Sequence, residues 1–496
     1  MEGDAVYLLE FWIVVSTILH FLIFLSVTLH ALNRRRNASA TLLWIFVAWS
    51  LPVLGALLYL AFGIDRLPSK GLDKRYANKN MVEEQSRRHA GDGAAFAHHL
   101  AFGVKTETIE SPLLRQTNRA IDALDPNHPL LHANRVIPLL SGSEAYPEML
   151  AAIRNAKRHV HMQSFIFGND AQTVEFLDAL KAKAQEGVKI KLLYDRFGST
   201  RAHLGGLFKK YRDVENMEIH GWTQANVFRR QFQINLRNHR KNLVVDGRIA
   251  FFGGVNVSLQ NVGPHPIRDY HFKAEGPIVH ELQFSFLCDW HFITEESPDT
   301  LVDHDHFPEI RRTGDALARL VDSGPALPPG LATEAFFLPI VLAQRQVLIV
   351  TPYFVPGAEI LHALKSTARR GVEVRIVLPE KNNHRYAGLA AKALYEELLE
   401  AGVHVHERRP PFIHAKAMIV DDAMALVGTA NLDVRSLALN YETMVMLSDE
   451  EAIDRLKLII HEDLANSREI RLELWRRRSA RQRLAENLCS LMTPVL

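Results

Sequence analysis

The chain opens with two long apolar stretches before any alternating pattern begins. Phe11–Leu32 and Leu42–Ile64 contain no charged residue. As helices each is about 33 Å long, enough to cross the hydrocarbon core of a bilayer. A cleaved signal peptide fits poorly, because Glu2 and Asp4 stand where a basic segment is expected and a second apolar stretch follows. The pattern therefore predicts a two-helix transmembrane hairpin over residues 1–66, in preference to a hairpin buried in a soluble core.

Basic residues on both sides of the second stretch bear on its orientation. Arg34, Arg35 and Arg36 lie in the short connection, and a further group of lysines and arginines lies between Arg66 and Lys79. Basic residues favour the cytoplasmic side of a membrane. The two groups favour opposite orientations, so the sequence leaves open which membrane face carries the rest of the chain.

After a polar connector over residues 67–130, short β-rich runs alternate with amphipathic helical stretches, and this pattern occurs twice. Such alternation predicts α/β units with a largely covered sheet. The Pro- and Gly-rich segment Ser323–Gly330 lies between the copies, which predicts a first domain over 131–325 and a second over 326–496. Three pairs of runs match: "HVHMQSFIF" and "QVLIVTPYF", "GVKIKLLYD" and "GVEVRIVLP", "NMEIHGW" and "GVHVHER".

A longer motif follows these runs in each copy. It is "NHRKNLVVDGRIAFFGGVN" from Asn238 and "IHAKAMIVDDAMALVGTAN" from Ile413. Identical residues at fixed spacing, inside otherwise diverged sequence, indicate a duplicated unit. The pairs are His239 and His414, Lys241 and Lys416, Asp246 and Asp421, Gly253 and Gly428, and Asn256 and Asn431.

The spacing within the motif predicts its local geometry. Residues two apart on an extended strand share a face, so the histidine and lysine of each copy point together. The aspartate stands at a hairpin turn, for which "DG" is a strong signal. The return strand brings the glycine and asparagine back beside the histidine. Glycine there permits close backbone approach to a ligand, and asparagine supplies an amide donor.

An imidazole, an ammonium group and an amide together suit a phosphate anion. One histidine can attack phosphorus while a second, protonated one donates to the leaving alcohol. Lys241, Lys416, Asn256 and Asn431 then stabilise charge on the phosphate oxygens. This chemistry needs both histidines at one phosphate, so the copies are predicted to pack face to face around a pseudo-twofold axis and form one site.

The acidic residues near the motif allow more than one role. Asp246 and Asp421 belong to the repeated catalytic motif, yet their turn position favours capping or salt-bridging of the local backbone. Asp269 follows His239, and Glu442 follows His414; either carboxylate is predicted to orient the imidazole that it follows, through the second ring nitrogen. A surface position for Asp269 is an equal alternative.

Composition removes several classes of protein. Lys and Arg number 58 against 56 Asp and Glu, so no global polycation points to nucleic acid. Cys288 and Cys489 are the only cysteines, which excludes a disulfide-rich scaffold and a cysteine-based zinc cluster. The 24 histidines include no HExxH, and a charged lysine beside each motif histidine repels a cation. Neither a metal nor a cofactor is predicted.

Two copies of HxKxxxxD, followed by GGxN or GTxN, resemble the phospholipase D superfamily. The N-terminal stretches with "YDRFGS", "RDYHFKAEGP", "TPYFVP" and "GTANLDVRSLALNYE" resemble its bacterial cardiolipin synthase branch. Tyr270 departs from the Thr common after the Asp. The resemblance implies two tandem phospholipase D-like α-β-α domains packed as a pseudo-dimer. It also implies that two phosphatidylglycerol molecules give cardiolipin and glycerol through a phosphatidyl-histidine intermediate, with His239 as nucleophile, His414 as acid and then base, and no metal.

Three further expectations concern context. The protein is expected in the bacterial inner membrane as a multi-pass protein. Its expected partners are phosphatidylglycerol and anionic lipid, and not nucleic acid. The sequence does not determine the oligomeric state. A hydrolytic phospholipase D is the alternative function, and an inactive scaffold is disfavoured because both motifs are complete. The arginine-rich stretch Ser467–Leu484 either lies on an anionic bilayer or docks as an amphipathic helix on the second domain.

Overall fold

The computed structural model divides the chain into two compact units, Met1–Lys70 and Gly71–Leu496. The residues that it describes are 2–33, 38–60, 67–92, 101–222, 237–325, 327–328 and 330–491.

The first unit contains the apolar helices. They are α1 (Glu2–Asn33), α2 (Ala38–Ser50) and α3 (Leu54–Leu58). Within the described part of the chain, Glu10–Asn33 is the one helical segment long and apolar enough to cross a membrane. The second predicted stretch is not one continuous helix: Pro52 lies between α2 and α3, and proline cannot donate the backbone hydrogen bond that a helix interior requires. Its last residues, 61–64, lie outside the described residues.

The predicted connector is largely helical. It contains α4 (Leu67–Asp92) and α5 (Pro112–Leu124), and Ser111 caps α5 by accepting a hydrogen bond from the Leu114 amide. Lys74 of α4 is 1% exposed, and its Nζ lies 2.8 Å from Asp289 Oδ1. A buried lysine is tolerated when it is paired in this way. From Gly71 onward this segment is therefore part of the second unit.

One sheet of 15 strands forms the centre of the second unit. Its strand order is β17-β12-β11-β9-β13-β14-β16-β8-β1-β7-β6-β5-β2-β3-β4, and β10 and β15 form a separate parallel pair. The strands are β1 (Leu131–Leu140), β2 (His159–Ser164), β3 (Lys189–Asp195), β4 (Met217–Trp222), β5 (Asn242–Val245), β6 (Ile249–Gly253), β7 (Tyr270–Glu275), β8 (Ala316–Ser323), β9 (Gln346–Val350), β10 (Phe354–Val355), β11 (Glu373–Pro379), β12 (His404–Arg408), β13 (Ala417–Val420), β14 (Met424–Gly428), β15 (Leu432–Asp433), β16 (Glu442–Ser448) and β17 (Ser467–Glu469).

Apart from the edge strand β17, the strand order is the same on both sides of the central β8–β1 pair. Strands β2, β3 and β4 run parallel to one another, as do β9, β11 and β12, and the remaining neighbours in the sheet are antiparallel. We call β1–β7 the first repeat and β8–β16 the second repeat. The three pairs of runs matched in the sequence are β2 with β9, β3 with β11 and β4 with β12. The predicted α/β architecture with two related regions is confirmed.

Helices cover both faces of this sheet, and a hydrophobic cluster made by both repeats lies at its centre. Phe252 in β6 stacks on Phe272 in β7 with ring centroids 5.4 Å apart, and both are fully buried with Ile419 in β13. The remaining helices are α6 (Ser141–Asn155), α7 (Ala171–Gln185), α8 (Thr200–Leu204), α9 (Ile278–Thr294), α10 (Pro298–Leu301), α11 (Leu331–Leu342), α12 (Ala358–Arg369), α13 (Arg385–Ala393), α14 (Tyr395–Glu400), α15 (Val434–Ala438), α16 (Glu450–Ala465), α17 (Leu472–Arg476) and α18 (Ala480–Ser490).

The arginine-rich C-terminal stretch packs on the second repeat. The rings of Trp475 and Tyr395 lie 5.0 Å apart, and α18 packs along α13. Arg478 forms ion pairs with Glu486 at 2.9 Å and with Glu396 at 3.0 Å. Of the two predicted alternatives, the structure has the docked helix.

Candidate active site

Backbone hydrogen bonds between the repeats hold the two histidines of the motif. Each histidine lies in an extended segment just before β5 or β13. The His239 amide donates to the Tyr441 carbonyl at 2.9 Å, and the His414 amide donates to the Arg268 carbonyl at 2.7 Å. Each histidine is thus paired with a segment of the other repeat.

The two predicted carboxylates are also paired with histidines of the other repeat. Glu442, next after Tyr441, lies with Oε2 2.8 Å from His239 Nδ1. Asp269, next after Arg268, lies with Oδ2 2.7 Å from His414 Nδ1. The prediction that each carboxylate orients the histidine it follows is therefore wrong: the partners are exchanged between repeats. The surface alternative for Asp269 is wrong too, because it is fully buried.

Both carboxylates are held in the ionised form. Burial raises the pKa of Asp269, but the charge of Lys416 and the contact with His414 outweigh this and leave the pKa below its usual value. Burial likewise opposes ionisation of Glu442, and His239 and Lys241 lower its pKa overall. An ionised carboxylate accepts the Nδ1 proton of its histidine, so each neutral imidazole keeps the lone pair on Nε2.

The histidines themselves are neutral at rest. Burial, reinforced by the charge of Lys416, lowers the pKa of His414 to about 4 although Asp269 opposes the shift. Burial also lowers the pKa of His239, against the opposing charge of Glu442. A neutral imidazole is the form that can act as a nucleophile.

The two motif lysines bring positive charge to the histidines. Lys241 Nζ donates to the His239 carbonyl at 2.6 Å, and Lys416 Nζ donates to the His414 carbonyl. Burial and the charge of Lys416 lower the pKa of Lys241 to about 7. Burial lowers the pKa of Lys416 to about 8, against the opposing charge of Asp269. A bound anion would relieve both the repulsion and the desolvation.

A cavity of about 450 Å³ brings the predicted histidines and asparagines together, while Lys241 and Lys416 lie outside its lining. Its lining includes His239 and His414 with Asn256 and Asn431. Ligand cavities commonly have volumes of about 300–1,000 Å³. The cavity therefore has the volume of a site for a small polar ligand.

The two predicted glycines are required by the backbone at the ends of β6 and β14. Gly253 has φ of 138° and Gly428 has φ of 150°. A Cβ atom would lie 2.7 Å from the Tyr270 carbonyl oxygen at Gly253, and 2.1 Å from the Thr443 carbonyl oxygen at Gly428. Any side chain would thus push apart strands that carry the site.

Asp246 and Asp421 lie elsewhere. They occupy the β5–β6 and β13–β14 hairpin turns. Each aspartate follows its histidine by a length of extended chain that spans about 20 Å. Each carboxylate accepts three backbone hydrogen bonds, from residues 157–159 at 2.8–3.0 Å and from residues 344–346 at 2.8–2.9 Å respectively. Their place in the catalytic set is therefore corrected: they fasten each turn to the strand beside it, as their turn position favours.

One functional difference between the repeats was missed. Thr429 Oγ1 donates to Glu442 Oε2 at 2.6 Å. The matching position in the first repeat is Gly254, where a Cβ atom would lie 2.0 Å from Asp269 Oδ1. In the sequence this difference is seen as "GT" in the second motif where the first motif has "GG". The two histidine–carboxylate pairs are consequently not equivalent.

The described residues contain no group of three or more histidine, cysteine, aspartate or glutamate side chains arranged to hold a metal ion. Two half-sites instead meet at one cavity on a duplicated α/β sheet. Each contributes a histidine and an asparagine to the lining, with a lysine bonded to the histidine carbonyl. Fold and site together define a phospholipase D-like protein.

Comparisons with known proteins also indicate a phospholipase D-like protein. Residues 149–283 and 339–464 match the family described as "Cardiolipin synthase, PLD-like domain", and residues 18–63 match "Phospholipase_D-nuclease N-terminal". The chain is 32% identical to the major cardiolipin synthase ClsA of Bacillus subtilis (strain 168), over 97% of this chain and 100% of that protein. It is 30% identical to a cardiolipin synthase of Geobacillus kaustophilus (strain HTA426), over 96% of this chain and 92% of that one.

A solved structure shares the fold. Phosphatidylserine synthase of Haemophilus influenzae Rd KW20 superposes with a TM-score of 0.60 at 15% identity, over 77% of this chain and 98% of that chain. The chain belongs to the cardiolipin synthase family, and it is a phospholipid transferase. The predicted family and enzyme class are confirmed, and α1 together with the match at 18–63 indicates membrane association.

Proposed function

We propose that the chain transfers a phosphatidyl group from one phosphatidylglycerol to another, giving cardiolipin and glycerol. The observation that carries this proposal is the pair of histidines at one cavity, each with Nδ1 on a buried carboxylate of the other repeat. Such a pair suits double displacement at phosphorus, because a carboxylate on Nδ1 leaves each imidazole its Nε2 lone pair for attack or proton transfer.

In the first step His239 Nε2 attacks the phosphorus of the donor lipid. The bond from phosphorus to the glycerol oxygen breaks, and His414 donates a proton to that oxygen. The resting pKa of His414 is about 4, so the acid form requires the bound phosphate anion, which raises the pKa by its charge. Lys241 and Lys416 stabilise the non-bridging oxygens of the transition state.

In the second step the roles of His414 reverse. Its neutral imidazole takes the proton from a hydroxyl of the acceptor phosphatidylglycerol, whose oxygen attacks the phosphatidyl-histidine. The phosphorus–nitrogen bond to His239 breaks, and cardiolipin leaves. Asn256 and Asn431 line the same cavity and hold the phosphate between the two imidazoles. His239 is the nucleophile by the family resemblance.

The membrane arrangement is part of the same proposal. Helix α1 spans the bacterial inner membrane, and α2 with α3 forms a second, broken span, so that residues 1–66 make a multi-pass anchor. The connector takes residues 67–130, and the two phospholipase D-like domains take 131–325 and 326–496 as a pseudo-dimer. Holding the cavity at the bilayer concentrates anionic lipid there and limits water.

The test is a product analysis with purified protein in bilayers of labelled phosphatidylglycerol. We expect cardiolipin and free glycerol in about equal amounts, with phosphatidic acid a minor product. Added glycerol should convert cardiolipin back to phosphatidylglycerol, because one phosphodiester is exchanged for another. Dominant phosphatidic acid without reversal would mean that water is the acceptor and that the chain acts as a hydrolase.

A further inference from the structure

The cavity carries two arginines beyond the groups that the chemistry at phosphorus uses. Arg237 lies two residues before His239, and Arg435 lies on α15 of the second repeat. Both line the same cavity as the two histidines. One cation thus comes from each repeat.

Arg237 is held in place by stacking on an aromatic ring. It is 8% exposed, and its guanidinium carbon lies 3.8 Å from the centre of the Phe197 ring. Asp195 is near, but its carboxylate accepts backbone hydrogen bonds from Phe197, Gly198 and Asn238 at 2.9–3.1 Å. Among the described residues no carboxylate forms an ion pair with Arg237. A buried guanidinium stacked on a ring and facing a cavity suits an anionic ligand.

The electrostatics of Arg237 and Arg435 also favour an anionic ligand. Burial lowers the pKa of Arg237, with Asp195 opposing and the charge of Arg435 adding to the shift. The acidic side chain that lines the cavity, Asp433, caps α15 by accepting the Ser436 amide at 2.6 Å. It also interacts with the charge of Arg435: burial raises the pKa of Asp433, and this charge opposes the shift. Two neighbouring cations at a cavity wall are stabilised when an anion binds between them.

One phosphodiester carries a single negative charge, and the proposed chemistry already assigns Lys241 and Lys416 to it. The acceptor lipid brings a second phosphodiester, joined to the attacking hydroxyl by a three-carbon bridge. Placing that hydroxyl at His414 necessarily brings the second phosphate into or beside the cavity, where an unpaired charge would be costly. The cavity thus has more cations than hydrolysis of one phosphodiester needs.

We propose that Arg237 and Arg435 form a second phosphate subsite, which binds the phosphodiester of the acceptor lipid. This inference rests on the proposed function. The subsite favours a lipid hydroxyl over water or free glycerol as acceptor, because only the lipid carries the second phosphate. The arginines are specificity residues of the second step and do not touch the reacting bond.

Two reactions of the same enzyme separate this role from chemistry at phosphorus. Exchange of labelled glycerol into phosphatidylglycerol involves one phosphate throughout, whereas cardiolipin formation involves two. We expect Arg237→Gln and, separately, Arg435→Gln to lower the cardiolipin rate at least about 10-fold relative to the exchange rate, the effect of losing a charge-assisted hydrogen bond. Retained glycerol exchange shows that each variant is folded. The control is Arg201→Gln, which changes an exposed arginine of the first repeat and should leave the ratio of the two rates unchanged.

Three outcomes would overturn the subsite. If both rates fall equally in both variants, the arginines bind the donor phosphate or support the fold. If neither rate changes, they bind no substrate. If the ratio is unchanged but inhibition by inorganic phosphate disappears, the arginines bind free phosphate instead of acceptor lipid. Wild-type protein that shows neither reaction would refute the proposed function itself, which is a separate result.

Discussion

The exchanged carboxylates give the most discriminating prediction. Glu442 lies 2.8 Å from His239 and Asp269 lies 2.7 Å from His414, and both carboxylates are fully buried. In Glu442→Gln and Asp269→Asn the amide can donate to Nδ1, which moves the imidazole proton to Nε2. A change of this kind costs about 10⁴-fold in turnover in other histidine-based enzymes, or about 5 kcal/mol of transition-state stabilisation. We expect each variant to lose activity on this scale.

The two losses should differ in kind. A phosphatidyl donor with a nitrophenol leaving group needs no proton from His414, so its first step depends mainly on His239. We expect Asp269→Asn to release about one equivalent of nitrophenol in a burst and then to stall as phosphatidyl-enzyme. Glu442→Gln should give no burst, because the nucleophile is impaired.

The assay is rapid-mixing absorbance, with acid quench to recover labelled lipid on the protein. Glu175→Gln, an exposed carboxylate of the first repeat, is the control and should show wild-type kinetics. The reverse pattern, with a burst in Glu442→Gln and none in Asp269→Asn, would refute the reasoning. It would mean that each carboxylate serves the histidine it follows in sequence, or that His414 is the nucleophile.

Other expectations concern the motif residues singly. His239→Ala and His414→Ala should each abolish cardiolipin formation, since they share one cavity; about half the activity in either, measured as labelled lipid product, would indicate two independent sites. Asp246→Ala should destabilise the fold by about 3 kcal/mol in denaturant unfolding, because three backbone amides lose a charged acceptor, while kcat of the folded protein stays close to wild type. The pKa of Lys241 is about 7, so its positive charge is present below pH 7 and lost above it. KM for phosphatidylglycerol should therefore begin to rise near pH 7. In Lys241→Arg the rise should begin only near pH 8, where Lys416 loses its charge; a flat wild-type profile to pH 9 would contradict this.

Much of the site could be predicted from its spacing. A histidine and a lysine two apart on an extended strand must share a face, and a duplicated half-site with one reaction to perform favours a single cavity. The hairpin turn at Asp246 was likewise predictable, and with it the structural use of that aspartate. These inferences depend on local geometry, which sequence spacing specifies directly.

The exchange of carboxylates could not be predicted in this way. It depends on hydrogen bonds between segments far apart in the sequence, such as the one from the His239 amide to the Tyr441 carbonyl. Proximity in sequence favoured the opposite pairing. The break in the second apolar stretch was different, because Pro52 was visible in the sequence and its effect on a helix is known. Uniform hydrophobicity outweighed it in the prediction.

The unequal surroundings of the two histidines have a consequence for how such a chain can evolve. An enzyme assembled from two identical subunits must carry the same residues beside both histidines, so any mutation alters nucleophile and acid alike. Here the repeats are covalently joined, and Thr429 with Glu442 serves one histidine while Gly254 with Asp269 serves the other. Each imidazole can therefore be adjusted without changing its counterpart. Tandem duplication frees the two chemical roles to specialise, which symmetry in a homodimer forbids.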